Sequence, residues 1–415
     1  MRRASVLAAL ISVTVALGAA QCNVATSGTA DMTASSASSS GASGSGSSGQ
    51  PSGSSGTASS TGMNDAGDAA CTACPVGQRE VTPCTTTANR VCQACAICPA
   101  GSHVQTACAG TSDTVCAGDN VCVGNFTAGR VGVFAWPADG NVAPARTISG
   151  ASTTLAQVAG IYDDRAHGEL FVLDYNASAI DVFAENASGD VAPLRVIRGS
   201  STLLGSASGI AVDVGHDEII ACSDSTMAST AALVTVFSRT ASGNVAPLRF
   251  FGGTNAGVTR CESVAYDSVH DEIVITGLTS KNVVTFPRTA TGNAAPTRQI
   301  AGAMTTLTSA GTVALDLAHD EILVTDGNGR LLTFARTANG NVPPLRIIAG
   351  NATTLTGLVG SVLYDAFRDQ VVVNDFANGR ILSFARTGTG DIAPLHSVSG
   401  TASGLAQPWG LVFCR

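Results

Sequence analysis

One phrase is written six times along this chain: FAWPADGNVAPAR from Phe134, FAENASGDVAPLR from Phe183, FSRTASGNVAPLR from Phe237, FPRTATGNAAPTR from Phe286, FARTANGNVPPLR from Phe334 and FARTGTGDIAPLH from Phe384. Successive phenylalanines stand 49, 54, 49, 48 and 50 residues apart. A fixed period of that length means a repeat architecture, in which each unit buries its faces against its neighbours.

Each unit holds four short apolar runs. In the third these are GIAVD at 209–213, EIIAC at 218–222, LVTVFS at 233–238 and LRFFG at 248–252. Turns rich in Gly, Asn, Asp and Ser join them, and no helical periodicity interrupts them, so the domain reads as all-β. Four antiparallel strands in a repeat of this length make one blade of a β-propeller, and six repeats make six blades.

The ends of the domain predict how the ring closes. DNVCVGNFTAGRVGVF at 119–134 aligns without gaps to DQVVVNDFANGRILSF at 369–384, so the first unit begins at its second strand. Its missing first strand stands at the C-terminus, where Gly410-Leu411-Val412-Phe413 matches Gly209-Ile210-Ala211-Val212. One blade is then shared by both ends of the domain, which hides edge strands that an open sheet would expose.

The unit resembles an NHL repeat, best in Leu323-Val324-Thr325-Asp326-Gly327-Asn328-Gly329-Arg330-Leu331: a second strand ending in Asp, a loop bearing Asn or Gly-Arg, then the third strand. That resemblance implies a fold and a mode of binding, and leaves the ligand open.

Upstream, the chain changes character three times. Residues 1–21 carry two arginines, an apolar stretch and small residues, the pattern of a secretory signal. Cleavage after Ala20 and lipidation of Cys22 are the two alternatives. Gln21 stands where a lipobox carries a small residue, whereas acylating Cys22 leaves twelve of the thirteen cysteines to pair. Residues 22–68 are almost wholly Ser, Gly, Ala and Thr, which cannot bury enough apolar surface to order, so a disordered linker is expected. It reads as a spacer, with unselected drift as the alternative.

Residues 69–118 hold two copies of C-x2-C-x9-C-x7-C at a 24-residue offset, from Cys71 and from Cys95. In an exported chain that pattern is a disulfide framework; zinc is the competitor, disfavoured by the long gaps and the lack of paired histidines. The segment resembles the cysteine-rich modules of tumour-necrosis-factor receptors through Cys74-Pro75-Val76-Gly77, Cys98-Pro99-Ala100-Gly101 and Asp113-Thr114-Val115-Cys116. The resemblance implies bridges Cys71 to Cys84, Cys74 to Cys92, Cys95 to Cys108 and Cys98 to Cys116, and a stalk without the receptors' function. In the propeller (119–415), Cys222 closes a second strand and Cys261 lies two residues before the next blade's first strand, so the pair is expected to staple adjacent blades. Cys122 and Cys414 share the composite blade in registers that look offset.

A formal charge of −8 and a single lysine, Lys281, give no basic footprint for nucleic acid. Asp164 and His167, Asp213 and His216, Asp267 and His270, and Asp316 and His319 repeat a D-x2-H motif, with Arg368 replacing the histidine in the sixth unit. A ring of metal sites is the sharp reading; a recurring turn whose Asp bonds nearby backbone is the plain one. One Asp and one His per blade, held apart from their neighbours, are too few ligands. No cofactor is expected. A metal-bound propeller hydrolase or lyase is the enzyme alternative, but repeated turns supply near-equivalent residues rather than a converging set, and no nucleophile elbow or H-E-x-x-H motif is present. The expected function is extracytoplasmic binding or scaffolding by a monomer, secreted or held at a membrane through Cys22, with a protein or small ligand as partner. The candidate ligand face consists of the loops after the second strands, with Asp174, Asn176, Asp224, Met227, Asp326, Asn328, Asp375 and Asn378 as candidate contacts. The third unit extends this loop across residues 224–230, either as a ligand loop or as a tolerated insertion.

Overall fold

The computed structural model describes residues 71–85, 88–99, 102–224 and 232–415. Cys22, Met227 and the linker lie outside the described residues, as does the side chain of Asp224.

Six four-stranded antiparallel sheets form the blades. The second blade runs Val158–Asp164, Glu169–Asp174, Ala179–Ala184 and Arg195–Arg198, in sheet order. The first is composite: Pro408–Cys414 pairs with Asn120–Asn125, which continues to Arg130–Phe134 and Arg146–Ile148. The ring therefore closes with three strands from one end of the domain and one from the other.

Strands that read as continuous apolar runs do so because both faces of each blade are covered. Ile219, Ile220, Ala221 and Cys222 are all fully buried, since alternate side chains pack against blades on either side. The core is accordingly a set of layers between blades. One layer joins Phe171, Leu173 and Val182 of the second blade to Ile210, Val212 and Phe237 of the third. The phenylalanine that opens each repeated phrase, Phe134 through Phe384, is at most 1% exposed in all six blades.

The rest of the phrase recurs because it is the joint between blades. Gly140, Gly189, Gly243, Gly292, Gly340 and Gly390 form parallel bridges to the outer strand of the preceding blade, at Val398, Ile148, Ile197, Phe251, Ile300 and Ile348. Gly243 does this at φ 77°, a conformation glycine adopts without strain. The next residue, Asn or Asp, accepts a backbone N–H from the neighbour: Asp190 from Ser152, Asn244 from Ser201 and Asn141 from Ala402, each at 2.7 Å. The same loop covers the outer edge of the preceding sheet, which would otherwise be open to pairing. Short 3-10 turns follow four of the outer strands, for example Ser200–Thr202; the sequence reading missed them because three residues carry no periodicity.

One core position departs from its counterparts. Asp181, 1% exposed, stands where the fifth and sixth blades carry the fully buried Leu332 and Leu382. Burial pushes its carboxyl up to about 6, only partly countered by the Thr154 hydroxyl that donates to it. Between pH ~4 and ~6 the folded state keeps a proton that the unfolded chain has released, so stability falls as pH rises through that window. Asp181→Asn is therefore expected to gain roughly 2 kcal/mol at pH 7.5 and nearly nothing at pH 4. Denaturant melts at both pH values check this, and a gain independent of pH would contradict it.

The cysteine-rich segment forms two disulfide-bonded hairpins, Gln78–Thr82 with Val91–Ala94 and Ser102–Thr106 with Val115–Gly118. Cys71 is bonded to Cys84, Cys74 to Cys92, Cys95 to Cys108 and Cys98 to Cys116, with Cα separations of 6.0, 5.7, 5.9 and 5.5 Å. In the propeller, Cys222 is bonded to Cys261 at 5.9 Å and Cys122 to Cys414 at 5.8 Å. Cys261 opens its strand, Cys261–Asp267, rather than preceding it. The offset in the composite blade is real, since Cys122 stands opposite Val412 and Cys414 opposite Asn120, and the bond runs diagonally across it.

Candidate functional site at the mouth of the channel

Antiparallel pairing sorts the loops onto two ends of the ring. Hairpins joining first to second strands lie at one end; loops leaving second strands and loops leading into first strands lie at the other.

The hairpin end is occupied by internal pairings. The D-x2-H motifs close their own turns: His167, His216, His270 and His319 Nδ1 lie 2.8, 2.7, 2.9 and 2.8 Å from the partner carboxylates, and Arg368 takes that place beside Asp365. The expectation that each pair is isolated from its neighbours is corrected, because Asp271 of the fourth blade joins Asp213 and His216 within 4.8 Å. Arg288 already supplies the positive charge there, 2.7 Å from Asp271 and 3.7 Å from Asp213. The same guanidinium reaches Glu218, which also holds Arg249. Glu169 with Arg195 and Arg239, and Glu321 with Arg346 and Arg386, repeat the arrangement.

The stalk is seated at this end. Asp119, 1% exposed, lies 2.9 Å from His103 of the second hairpin and 2.6 Å from Arg165 in a turn of the second blade. Arg165 also donates to the Ser102 carbonyl. The opposite end of the propeller is left clear of the described stalk.

At that opposite end the candidate aspartates are consumed by structure. Asp174, Asp326 and Asp375 are fully buried. Asp174 accepts backbone N–H groups from Ala156, Gln157 and Ala177; Asp326 accepts from Thr308, Asn328 and Arg330; Asp375 accepts from Asn378 and Arg380. They fasten the loops and do not face outward. Asn176, Asn328 and Asn378 are exposed, the last tied back to Asp375 and Thr356.

In blades one, two, four and six the residue after the second strand lines the mouth, and the sequence reading passed over it. Across blades one to six it is Phe126, Tyr175, Ser225, Leu278, Gly327 and Phe376. The aromatics therefore fall in three adjacent blades, the sixth, first and second. Together with Trp409, on the first strand of the composite blade, they form a cluster. Phe126 lies 5.6 Å from Tyr175, 6.2 Å from Phe376 and 6.3 Å from Trp409, and Phe376 meets Trp409 edge-on at 5.0 Å. These rings, with Leu278, Leu358, Ser208, Arg260 and Glu262, line a cavity of about 220 Å³. Below it the channel, about 280 Å³, is ringed by Leu411, Ile161, Ile210, Val264, Val313 and Val362, one from each first strand. A mouth so lined can desolvate an apolar group against its rings, with Ser208, Arg260 and Glu262 as the polar groups of its wall.

The TNFR/NGFR cysteine-rich region family model matches residues 69–92 and 91–116. One chain in the crystal structure of a nidogen/laminin complex shares the propeller fold, with a TM-score of 0.52 at 11% identity over 72% of this chain and 99% of that one. No curated protein matches this chain in sequence. Together with the disulfides, the cysteine-rich match suggests an extracellular or secreted protein.

Proposed function

We propose that this chain is an exported scaffold that binds a protein partner at the aromatic mouth of its propeller, held away from its anchorage by the cysteine-rich stalk. The observation that carries the reading is the concentration of Phe126, Tyr175, Phe376 and Trp409 at one mouth, on the end away from the described stalk. Aromatic anchors in a concave, water-excluding setting supply most of the energy in protein interfaces. The polar groups at the hairpin end are taken up by one another, which favours binding over catalysis.

On this reading the repeats are NHL-like, with the Asp-x-Asn-Gly-Arg loop of the fifth blade as the closest instance of the motif. Residues 1–21 direct export and 22–68 serve as a tether. Cys22 carries the lipid, so Cys22→Ser frees the chain from the membrane fraction; unchanged retention removes the anchor from the account.

Immobilised full-length chain, exposed to proteins of its own extracellular surroundings, is expected to retain a partner. A Phe126→Ser/Phe376→Ser double variant should lose it, whereas Val269→Ser, at an exposed position on the hairpin end, should keep it. Loss with Val269→Ser and retention with the double variant would reverse the assignment of the face.

A further inference from the structure

The mouth is not uniform around its circumference. Blade four stands diametrically opposite blade one in a ring of six, and it carries two cations, Arg260 on the cavity wall and Lys281 three residues beyond Leu278. Arg260, leading into the first strand of blade four, has a side chain 47% exposed. Lys281, the only lysine of the chain, is exposed on the loop that follows the second strand of the same blade. The two loops are tied, since the Leu278 N–H donates to the Arg260 carbonyl at 3.0 Å. Glu262, 3.9 Å from Arg260, offsets one of the two charges and is itself buried. Asp326 and Asp375 are buried and paired with Arg330 and Arg380. Arg260 and Lys281 against Glu262 therefore leave the blade-four edge of this face net positive, on a chain whose formal charge is −8.

Size narrows the occupant. A cavity of about 220 Å³ is smaller than the ~300–1,000 Å³ of sites that enclose a whole small ligand. It suits a single anchor side chain of a larger partner. The rings meet edge to face, 89° for Phe376 with Trp409 and 65° for Phe126 with Phe376, so they build a socket and not one flat platform.

We infer that the partner is a protein segment with a large apolar or aromatic anchor beside an acidic residue, the anchor filling the socket of Phe126, Tyr175, Phe376 and Trp409 and the carboxylate meeting Arg260 and Lys281. This rests on the reading that the mouth is the binding face.

A library of disulfide-constrained peptides displayed on phage, selected on the immobilised full-length protein, tests it. Selected sequences should share an aromatic or large aliphatic residue next to Asp or Glu. A synthetic peptide of the selected consensus should bind about tenfold more weakly to Arg260→Glu, with Lys281→Glu as a second, independently folded reversal, and should not bind Phe126→Ser/Phe376→Ser. Peptides that need Phe126 and Phe376 but lack the acid, or bind both charge reversals as well as the parent, overturn this inference and leave the binding face standing. Peptides indifferent to the aromatics overturn both. Retention of a neutral or acidic oligosaccharide on a glycan array, lost in the double variant while no peptide is selected, would make the occupant a glycan and overturn the inference as well.

Discussion

A chain carrying Cys122→Ser and Cys414→Ser is expected to lose about 5 kcal/mol of stability, the largest effect of any pairwise change considered. The bond spans 292 residues and joins the two ends that share the composite blade. In the chain-entropy model a closed loop of that size is stabilised by roughly 5 to 6 kcal/mol, against about 4 for the 39-residue span of Cys222 and Cys261. For a domain of about 300 residues, 5 kcal/mol corresponds to a fall of roughly 8 °C in Tm. Comparing the two double-serine variants by calorimetry separates the contributions. A composite-blade variant that melts with the parent, or a Cys222→Ser/Cys261→Ser variant that falls further, would show that ring closure does not rest on this staple.

The second large effect is expected from Glu218→Gln. Glu218, 7% exposed, holds Arg249 of its own blade and Arg288 of the next. Neutralising it leaves Arg249 without a carboxylate at a joint between blades, while Arg288 keeps Asp271 and Asp213, and an uncompensated buried charge of this kind costs roughly 3 kcal/mol. The pH dependence has a definite sign. Burial raises the Glu218 carboxyl, but Arg249 and Arg288 outweigh it and hold the folded value below the ordinary one. Its contribution is therefore complete above the unfolded value of about 4.3 and is lost as pH falls through the lower folded value. Parent and variant should differ at pH 7 in urea and converge in acid. A constant difference down to pH 3 would assign the loss to packing instead of charge.

Much of this architecture was legible because repetition exposes it. The gapless match of 119–134 to 369–384, with Gly410 onward supplying the missing strand, specified the composite blade before any coordinates. The Gly-Asn/Asp pair inside the phrase was visible too, but its role as an inter-blade latch was not, since Gly243 acts on Ile197 of another blade and sequence shows no such neighbour. The aspartates at the ends of second strands misled for a related reason. An Asp beside a loop looks available, yet Asp174 spends its oxygens on Ala156, Gln157 and Ala177, the first two on the loop that precedes its own blade.

The candidate site was missed because it resides in what differs between repeats. Attention to the common phrase passes over the next position, where Phe126, Tyr175, Leu278 and Phe376 vary. Reading that one column across six blades would have found the aromatic crescent, although not Trp409, which reaches the mouth from a strand at the far end of the chain. The cations opposite were equally hidden, since Arg260 and Lys281 belong to different loops joined only by the Leu278 hydrogen bond.

The most direct test of the account is site-specific photocrosslinking from both ends of the propeller in the full-length protein. Benzoylphenylalanine at position 376 keeps an aromatic ring at the mouth, and the same residue at position 269 samples the exposed hairpin end. The account predicts a covalent adduct with a partner protein from position 376, diminished by Phe126→Ser, and none from position 269. Adducts from position 269 alone would contradict it.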